Sequence, residues 1–463
     1  MLKIYNTLTK SKELFTPIQP GKVNIYACGM TVYDYCHIGH ARSLIAFDVI
    51  VRYLRYLTYQ VKYVRNITDI DDKIIQRANA NQEDFQDLTA RFITAMREDC
   101  TALGLLTPTE EPRATQFMPQ IIQVVQTLLA KGYAYVGTNG DVYYNVRKFK
   151  DYGKLSHRNI DELQAGARIA ISEAKTNPLD FTLWKLAKAN EPGWDSPWGK
   201  GRPGWHIECS AMATTCLAKH FDIHIGGRDL IFPHHENEIA QAEAATGEKF
   251  VNYWIHVGSL QVNNQKMSKS LGNFFTIREV LQQFNPEVLR YFMIASHYRS
   301  PLNYSLADMH KARQALERLY MTMRGLEIGI DNGDNEAAAS FSKDFAVAMN
   351  DDFNTPEALA VLFNLARKIN KIKDKDKELA KQMLVTLRRL GNTLGILQQE
   401  PEQFLQANVV AEIDKNEITK MIVARNEARK SKNWAEADRL RDELLKMGIV
   451  LEDKANETIW RRK

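Results

Sequence analysis

One strand–helix–strand segment constrains the fold of this chain more than any other part of it. Val23-Asn24-Ile25-Tyr26-Ala27 reads as a strand, and a turn around Gly29 follows. From His37 the pattern becomes helical through Leu54, and Gln60 to Arg65 then alternates like a second strand. Strands joined by a crossover of this length run parallel. Parallel strands need both faces covered, which predicts an α/β fold with a Rossmann-like sheet. The helix opens on His37-Ile38-Gly39-His40, which puts two imidazoles one turn apart. Backbone N–H groups and the helix dipole favour a phosphate at such a helix start.

A second stretch lies far down the chain. Lys266-Met267-Ser268-Lys269-Ser270, followed by Leu271-Gly272-Asn273, is a small-residue loop carrying two ammonium groups. Either motif alone is commonplace; a capped helix with surface histidines or a solvated lysine loop would explain it. As an ordered pair they resemble the two signature motifs of class I aminoacyl-tRNA synthetases. The chemistry of adenylate formation agrees. It needs imidazole and backbone donors on the α-phosphate of ATP and mobile ammonium groups on the departing pyrophosphate. The resemblance makes His37, His40, Lys266 and Lys269 catalytic candidates. Gly39, His40, Lys266 and Lys269 would bind the nucleotide, with Mg²⁺ accompanying ATP.

The chain has 463 residues, too many for a single core and enough for two to four domains. Its start, Met1-Leu2-Lys3-Ile4-Tyr5-Asn6, lacks the apolar segment of a signal peptide, and no apolar run is long enough to span a bilayer. A cytoplasmic location without membrane contact is the expectation. A formal charge of +5 fits a nucleic-acid partner without requiring one. Cys28, Cys36, Cys100, Cys209 and Cys216 are odd in number and scattered, which argues against a disulfide framework.

The texture changes along the chain. From about Arg113 to Gly201, helical Ile121–Leu129 leads to short strands near Tyr133 and Asp141–Tyr144. A Gly/Pro/Trp-rich stretch then runs from Glu191 to Gly204. This reads as an insertion between two halves of the sheet domain. Strand–loop–helix texture returns with Phe221–His224, Gly226-Gly227 and a helix from about His234. Beyond Pro301 the pattern is helical to about Gln399, with basic residues gathered between Arg367 and Arg389. Pro401 opens a small terminal unit with helices over 418–429 and 434–447, a strand-like 448–453 and a basic end. The expected division is 1–112 and 202–300 for the two halves of the catalytic domain, 113–201 for the insertion, 301–400 for a helical bundle, and 401–463 for a small C-terminal domain.

Six of the eleven histidines fall between His206 and His256. Within that window, Pro233 suits a helix start, and His234 and Glu238 are four apart on one face. His235 points elsewhere by the same spacing. A zinc site needs about four N, S or carboxylate donors. Cys209, after a strand-like Trp205–Glu208, could supply a third, and Cys28, ending the first strand, a fourth. The plain alternative is a His–Glu pair on a surface helix.

Within class I, the chain resembles the cysteinyl-tRNA synthetase family along essentially its whole length. The resemblance is carried by Tyr26–Asp34, Asn66–Lys73, Pro203–Ser210, Phe232–Glu238 and Lys266–Asn273. It implies one zinc per chain held by Cys28, Cys209, His234 and Glu238. It implies a cysteine pocket with Thr68, Trp205, His224 and Asp229. The small terminal unit would be an anticodon-binding domain, with Arg429, Trp434, Asp438 and Asp453 as base-contacting candidates. The implied partners are ATP, L-cysteine and tRNA(Cys), and the implied state is a monomer. One departure is Ile225, where the family has a glycine. Two rivals stand beside this reading: a cysteine ligase with an amino-sugar acceptor, disfavoured by the long C-terminal region, and a catalytically dead RNA-binding paralogue, opposed by the intact motifs.

Overall fold

The structure, a computed structural model, describes residues 1–159, 174–267, 272–327, 329, 333, 336–406, 415–453 and 458–462. The chain divides into two compact units. The first comprises Met1–Ile277, Ser296–Tyr304 and Ala346–Glu357; the second comprises Arg278–Ala295, Ser305–Phe345 and Ala358–Lys463.

The first unit is built on a four-stranded sheet in the spatial order Val251–Val257, Phe221–Gly227, Lys22–Thr31, Gln60–Thr68. All three neighbouring pairs are parallel. The strands are buried almost throughout, as a parallel sheet covered on both faces must be. The crossover between Lys22–Thr31 and Gln60–Thr68 is the helix Ile38–Tyr56, as the sequence spacing predicts. This helix is buried around most of its circumference, with Leu44, Phe47, Val49, Ile50 and Leu54 all inside, and so belongs to the core rather than to the surface. Cys28 does not end its strand. The strand runs on to Thr31, with an irregularity in its pairing between Ala27 and Met30.

The insertion carries a separate antiparallel sheet of Ala134–Val136, Val142–Tyr144, Phe181–Leu186 and Gly201–Pro203, preceded by the helix Met118–Ala130. One expectation fails here. Trp205–Glu208 is not a strand but the first turn of a helix, Trp205–Cys216. The run Trp-His-Ile-Glu looks strand-like in isolation, but Pro203 and Gly204 precede it and an alanine-rich helical sequence follows it. Ile225, in place of the family's glycine, sits at 1% exposure in the middle of the sheet, paired with Ala27 and Ile255. It packs as core.

The second unit is helical, including Pro286–Ile294, Leu306–Met323, Lys377–Leu394, Lys415–Lys430 and Trp434–Lys446. The helical texture expected from Pro301 starts slightly later, because Leu302–Tyr304 adds a short strand to the first unit. A buried carboxylate organises part of the bundle: Glu287 accepts hydrogen bonds from Tyr320 Oη (2.8 Å), Leu397 N (2.9 Å) and Gln398 N (2.9 Å). The tail ends in a two-stranded antiparallel ribbon, Ile449–Asp453 with Thr458–Arg462, of which the second strand reads from sequence only as a basic end. No described helix is long and apolar enough to cross a membrane.

Candidate active site and metal centre

The helix Ile38–Tyr56 is capped by its own histidines. His37 Nδ1 accepts from His40 N at 3.2 Å, and His40 Nδ1 accepts from His37 N at 3.3 Å. The two rings stack with centroids 3.6 Å apart. Burial, and secondarily His37, hold His40 well below the usual imidazole range, so it is neutral. With Nδ1 used as an acceptor, the proton of each neutral ring sits on Nε2. Gly39 is required between them. A Cβ there would lie 2.9 Å from the His37 ring and 3.3 Å from Met267 Cε. The two motifs thus meet in space. Ile38 N also bonds Phe275 O, Ile277 N bonds Cys36 O, and Phe274 packs edge-on against His37 at 5.2 Å. Both flanks of the lysine loop are held against the helix start. Ser268–Leu271, Lys269 among them, and the side chain of Lys266 lie outside the described residues.

The four sulfur, imidazole and carboxylate candidates converge. Cys28, Cys209, His234 and Glu238 are all buried, and one donor atom from each lies within 4.8 Å of the others. Cys28 comes from the first strand and Cys209 from the helix after the insertion. His234 comes from an irregular turn, Ile231–His235, and Glu238 from the helix that continues it, Glu236–Thr246. The two sulfurs are 3.8 Å apart. Two thiolates each about 2.3 Å from a tetrahedral zinc have about that separation. Glu238 Oε1 lies 3.4 Å from Cys28 Sγ and 2.9 Å from His234 Nε2. The donor set and its spacing therefore fit a tetrahedral metal of intermediate softness.

A ring of further side chains fixes these donors. His206 Nδ1 is 2.8 Å from His234 Nδ1, which leaves His234 Nε2 for the cluster. His224 Nε2 is 2.8 Å from Glu238 Oε2, and its ring stacks on Trp254 at 4.5 Å. His235, expected to point away, instead places Nε2 3.3 Å from Cys28 Sγ, while its Nδ1 meets His256 Nε2 at 2.8 Å. It is three residues from Glu238, a spacing that puts the two on one side of a helix, and its Nε2 lies 4.0 Å from Glu238 Oε1. Gly226 makes room for that ring, since a Cβ there would fall 2.5 Å from His235 Cε1.

The cluster's electrostatics follow from its burial. The hydrogen bond from Cys28 draws Cys209 down to about 6, and Cys28 itself is pushed up, first by burial and then by Cys209. Burial lowers His234, but the Glu238 carboxylate and Cys209 outweigh it and raise it to about 10. His206 and His235 are driven well below the usual range, chiefly by burial, and remain neutral.

The other candidates are distributed unevenly. Trp205 is 40% exposed, with its ring 4.2 Å from that of His234, so it leans over the cluster rather than packing in the core. Thr68 is buried beside Asn66 at the end of its strand. Asp229 is exposed, just beyond Gly226-Gly227. His224 is fully buried, braced between Glu238 and Trp254. In the tail, Arg429 Nη1 binds Asp453 Oδ2 at 2.8 Å, and Trp434 is 59% exposed at the first residue of its helix, with exposed Asp438 one turn on. The sequence reading misses Arg425. Its guanidinium is buried and grips both oxygens of Asp453, at 2.6 and 2.8 Å.

Comparison with known proteins bears on this geometry. Three family models match: the class I (C) tRNA synthetase catalytic domain over residues 14–314, a DALR domain over 344–398, and a cysteinyl-tRNA ligase anticodon-binding domain over 415–461. The chain is 58% identical over 460 residues to a cysteine–tRNA ligase of Azotobacter vinelandii, covering 99% of each. It is likewise 58% identical over 465 residues to that of Methylococcus capsulatus, covering all of both. Among solved structures it resembles a Mycobacterium tuberculosis methionyl-tRNA synthetase in complex with methionyl-adenylate, with a TM-score of 0.57 at 14% identity over 87% of this chain and 94% of that one. It also resembles an Agrobacterium radiobacter LeuRS in a ternary complex containing tRNA, with a TM-score of 0.59 at 12% identity over 95% of each. These likenesses show a shared class I fold, and the full-length matches show more: the chain belongs to the cysteine–tRNA ligase family of class I aminoacyl-tRNA synthetases.

Proposed function

We propose that this chain activates L-cysteine with ATP to cysteinyl-adenylate and transfers it to the 3′-terminal adenosine of tRNA(Cys). The observation that carries the reading is the sulfur-rich donor cluster, Cys28, Cys209, His234 and Glu238, in the same compact unit as the His37–His40 helix start and the Met267 that meets it. When bound there, Zn²⁺ would supply a soft Lewis acid that takes a thiolate in preference to serine's hydroxyl. Size alone separates such substrates by roughly 1–3 kcal/mol, so recognition through sulfur chemistry removes the need for an editing domain. Trp205, over His234, would cover the substrate side of the cluster. Asp229 would pair with the substrate ammonium and Thr68 would contact the substrate from its strand end. His224 would wall the pocket as well, while its Nε2 holds the second oxygen of Glu238.

Nucleotide chemistry falls to the other motif. The Nε2–H groups of His37 and His40 and the helix N-terminus would bind the α-phosphate as charge builds on it. Lys266 and Lys269 would hold the pyrophosphate, with Mg²⁺ accompanying ATP. We assign residues 1–112 and 202–300 to the catalytic domain, 113–201 to its insertion, 301–400 to the helical bundle and 401–463 to anticodon binding. Arg429, Trp434, Asp438 and Asp453 would make the base contacts, the tryptophan by stacking and the others by hydrogen bonds. The same reading makes the protein a cytoplasmic monomer. Cysteine-dependent ATP–pyrophosphate exchange, followed by charging of tRNA(Cys), tests it. Exchange without charging would favour a small-molecule cysteine ligase, and neither activity would leave only RNA binding.

A further inference from the structure

A cavity opens in the first unit, and its lining includes none of the described residues of the two adenylate motifs. It has a volume of about 330 Å³, and its lining includes Thr7, Lys10, Ser156, Arg228, His256 and Arg299. Three of these are cationic, and no carboxylate lines it among the described residues. Arg299 is fixed: its guanidinium stacks on Tyr5 at 4.2 Å and its Nε binds Asp352 Oδ2. Lys10 and Arg228 are exposed and form no ion pair among the described residues. Ser156 lines the cavity, and its Oγ is buried without a hydrogen-bond partner among the described residues; a turn about its Cα–Cβ bond would present this hydroxyl to a group entering the cavity. Two uncommitted cations, a third held in place and an orphan hydroxyl together favour an anion.

The position of the cavity narrows the choice of anion. Arg228 directly follows Gly226-Gly227 at the carboxyl end of its strand and directly precedes Asp229. His256, at the carboxyl end of the next strand, bonds Thr7 Oγ1 at 2.7 Å on one side and His235 on the other, and His235 reaches Cys28. The cavity is therefore two imidazoles away from the sulfur cluster, at the end of the sheet where parallel α/β folds bind ligands. An acyl group formed at that cluster has to meet a ribose hydroxyl at the end of a single RNA strand, and that strand carries one phosphate per nucleotide.

We propose that this cavity binds a backbone phosphate of the single-stranded 3′ end of the tRNA, with Lys10 and Arg228 as its direct contacts and Ser156 as a hydroxyl donor. This rests on the charging activity argued above and adds the residues that would guide the acceptor strand. The test uses the full-length enzyme carrying Lys10→Gln and Arg228→Gln, singly and together. Cysteine-dependent ATP–pyrophosphate exchange should be unchanged. The KM for tRNA in charging should rise about tenfold in the double variant, an ordinary loss for one or two charge-assisted hydrogen bonds. The slope of log affinity against log salt should flatten by about 0.7 for each phosphate that is no longer neutralised. Binding of tRNA trimmed of its last three nucleotides supplies the discriminating arm. Trimming should weaken the wild type but make little further difference to the double variant. An unchanged KM for tRNA, or a trimming effect that persists in full, would overturn the inference. A raised KM for ATP in exchange would also overturn it, placing nucleotide phosphates in the cavity instead. Wild-type enzyme that failed to charge any tRNA would defeat the functional reading itself, a distinguishable result.

Discussion

Cys209→Ser isolates the role of sulfur in the candidate metal centre. The substitution keeps the size and the helical position and removes one thiolate. In the structure Cys209 Sγ is 3.8 Å from Cys28 Sγ, a separation matching two thiolates on one tetrahedral zinc. Structural four-ligand zinc sites bind with about 10–16 kcal/mol. An equal share per ligand is roughly 2.5–4 kcal/mol, so losing one thiolate should weaken zinc binding by about 10²- to 10³-fold. A hydroxyl recovers little of this, because it stays protonated at neutral pH and is a poor ligand for the metal. The assay is a competitive chelator titration of zinc, beside wild type, after a thermal melt has shown that the variant folds. Exchange kinetics supply the second readout. The KM for cysteine should rise and the KM for ATP should not, because the ATP motifs draw on His37, Gly39 and the lysine loop rather than on Cys209. Full zinc occupancy at wild-type chelator resistance, or an unaltered KM for cysteine, would refute the reasoning.

The remaining expectations are shorter. Lys269→Ala should slow adenylate formation on the order of 10²-fold with little change in cysteine affinity, as for loss of one preorganised electrostatic donor; normal exchange with impaired charging would place Lys269 on the RNA. Trp434→Ala should leave exchange intact and raise the KM for tRNA about tenfold, since stacking on a base contributes about 1–3 kcal/mol; an unchanged KM would remove it from the contact surface. A chain ending at Gln406 should fold, because it keeps Phe404 stacked on Tyr320 at 4.0 Å and Glu402 paired with Arg324; it should exchange normally and charge poorly, whereas equal charging would dismiss the anticodon role of the tail. Acid should destabilise the fold through His256, which burial first, and then His224 and Arg228, depress from 6.5 to about 3. The unfolded chain takes up that proton first, so the stability is whole above about 6.5 and is lost as the pH falls toward 3. This single group accounts for about 2 kcal/mol between pH 7 and pH 5. Denaturant midpoints that are flat across that interval would contradict it.

What the sequence could reveal depended on how local the signal was. The parallel core followed from Val23–Ala27, the helix after His37 and Gln60–Arg65, because periodicity and crossover length are local properties. The helix at Trp205 was misread for a related reason: four residues of Trp-His-Ile-Glu carry no period, and the Gly204 boundary outweighs their propensity. The second strand of the terminal ribbon was missed because Thr458–Arg462 is short and ends in arginines, and only its pairing with Ile449–Asp453 makes it a strand.

The candidate site divides along the same line. Cys28, Cys209, His234 and Glu238, a cluster that could hold a metal ion, were legible because metal-ligand chemistry restricts residue type, and sulfur, imidazole and carboxylate are few enough to count. The side chains that aim those donors were not. His206, His235 and His256 act through partners 28, 207 and 21 residues away, such as His206 with His234. His235 shows what a reading of the four-residue spacing alone leaves out. It lies three residues before Glu238, which also puts it on that side of a helix, with Nε2 4.0 Å from Glu238 Oε1, and a glycine on a neighbouring strand, Gly226, opens the space its ring fills. The donors of a metal site are written in residue identity, whereas their orientation is written in the packing of three separate segments. An orienting histidine should therefore tolerate replacement by another side chain that delivers the same hydrogen bond. For His206 that hydrogen bond is the one shared with His234 Nδ1, and for His224 the one to Glu238 Oε2. A donor such as Cys209 has no such substitute, because its sulfur is the chemistry.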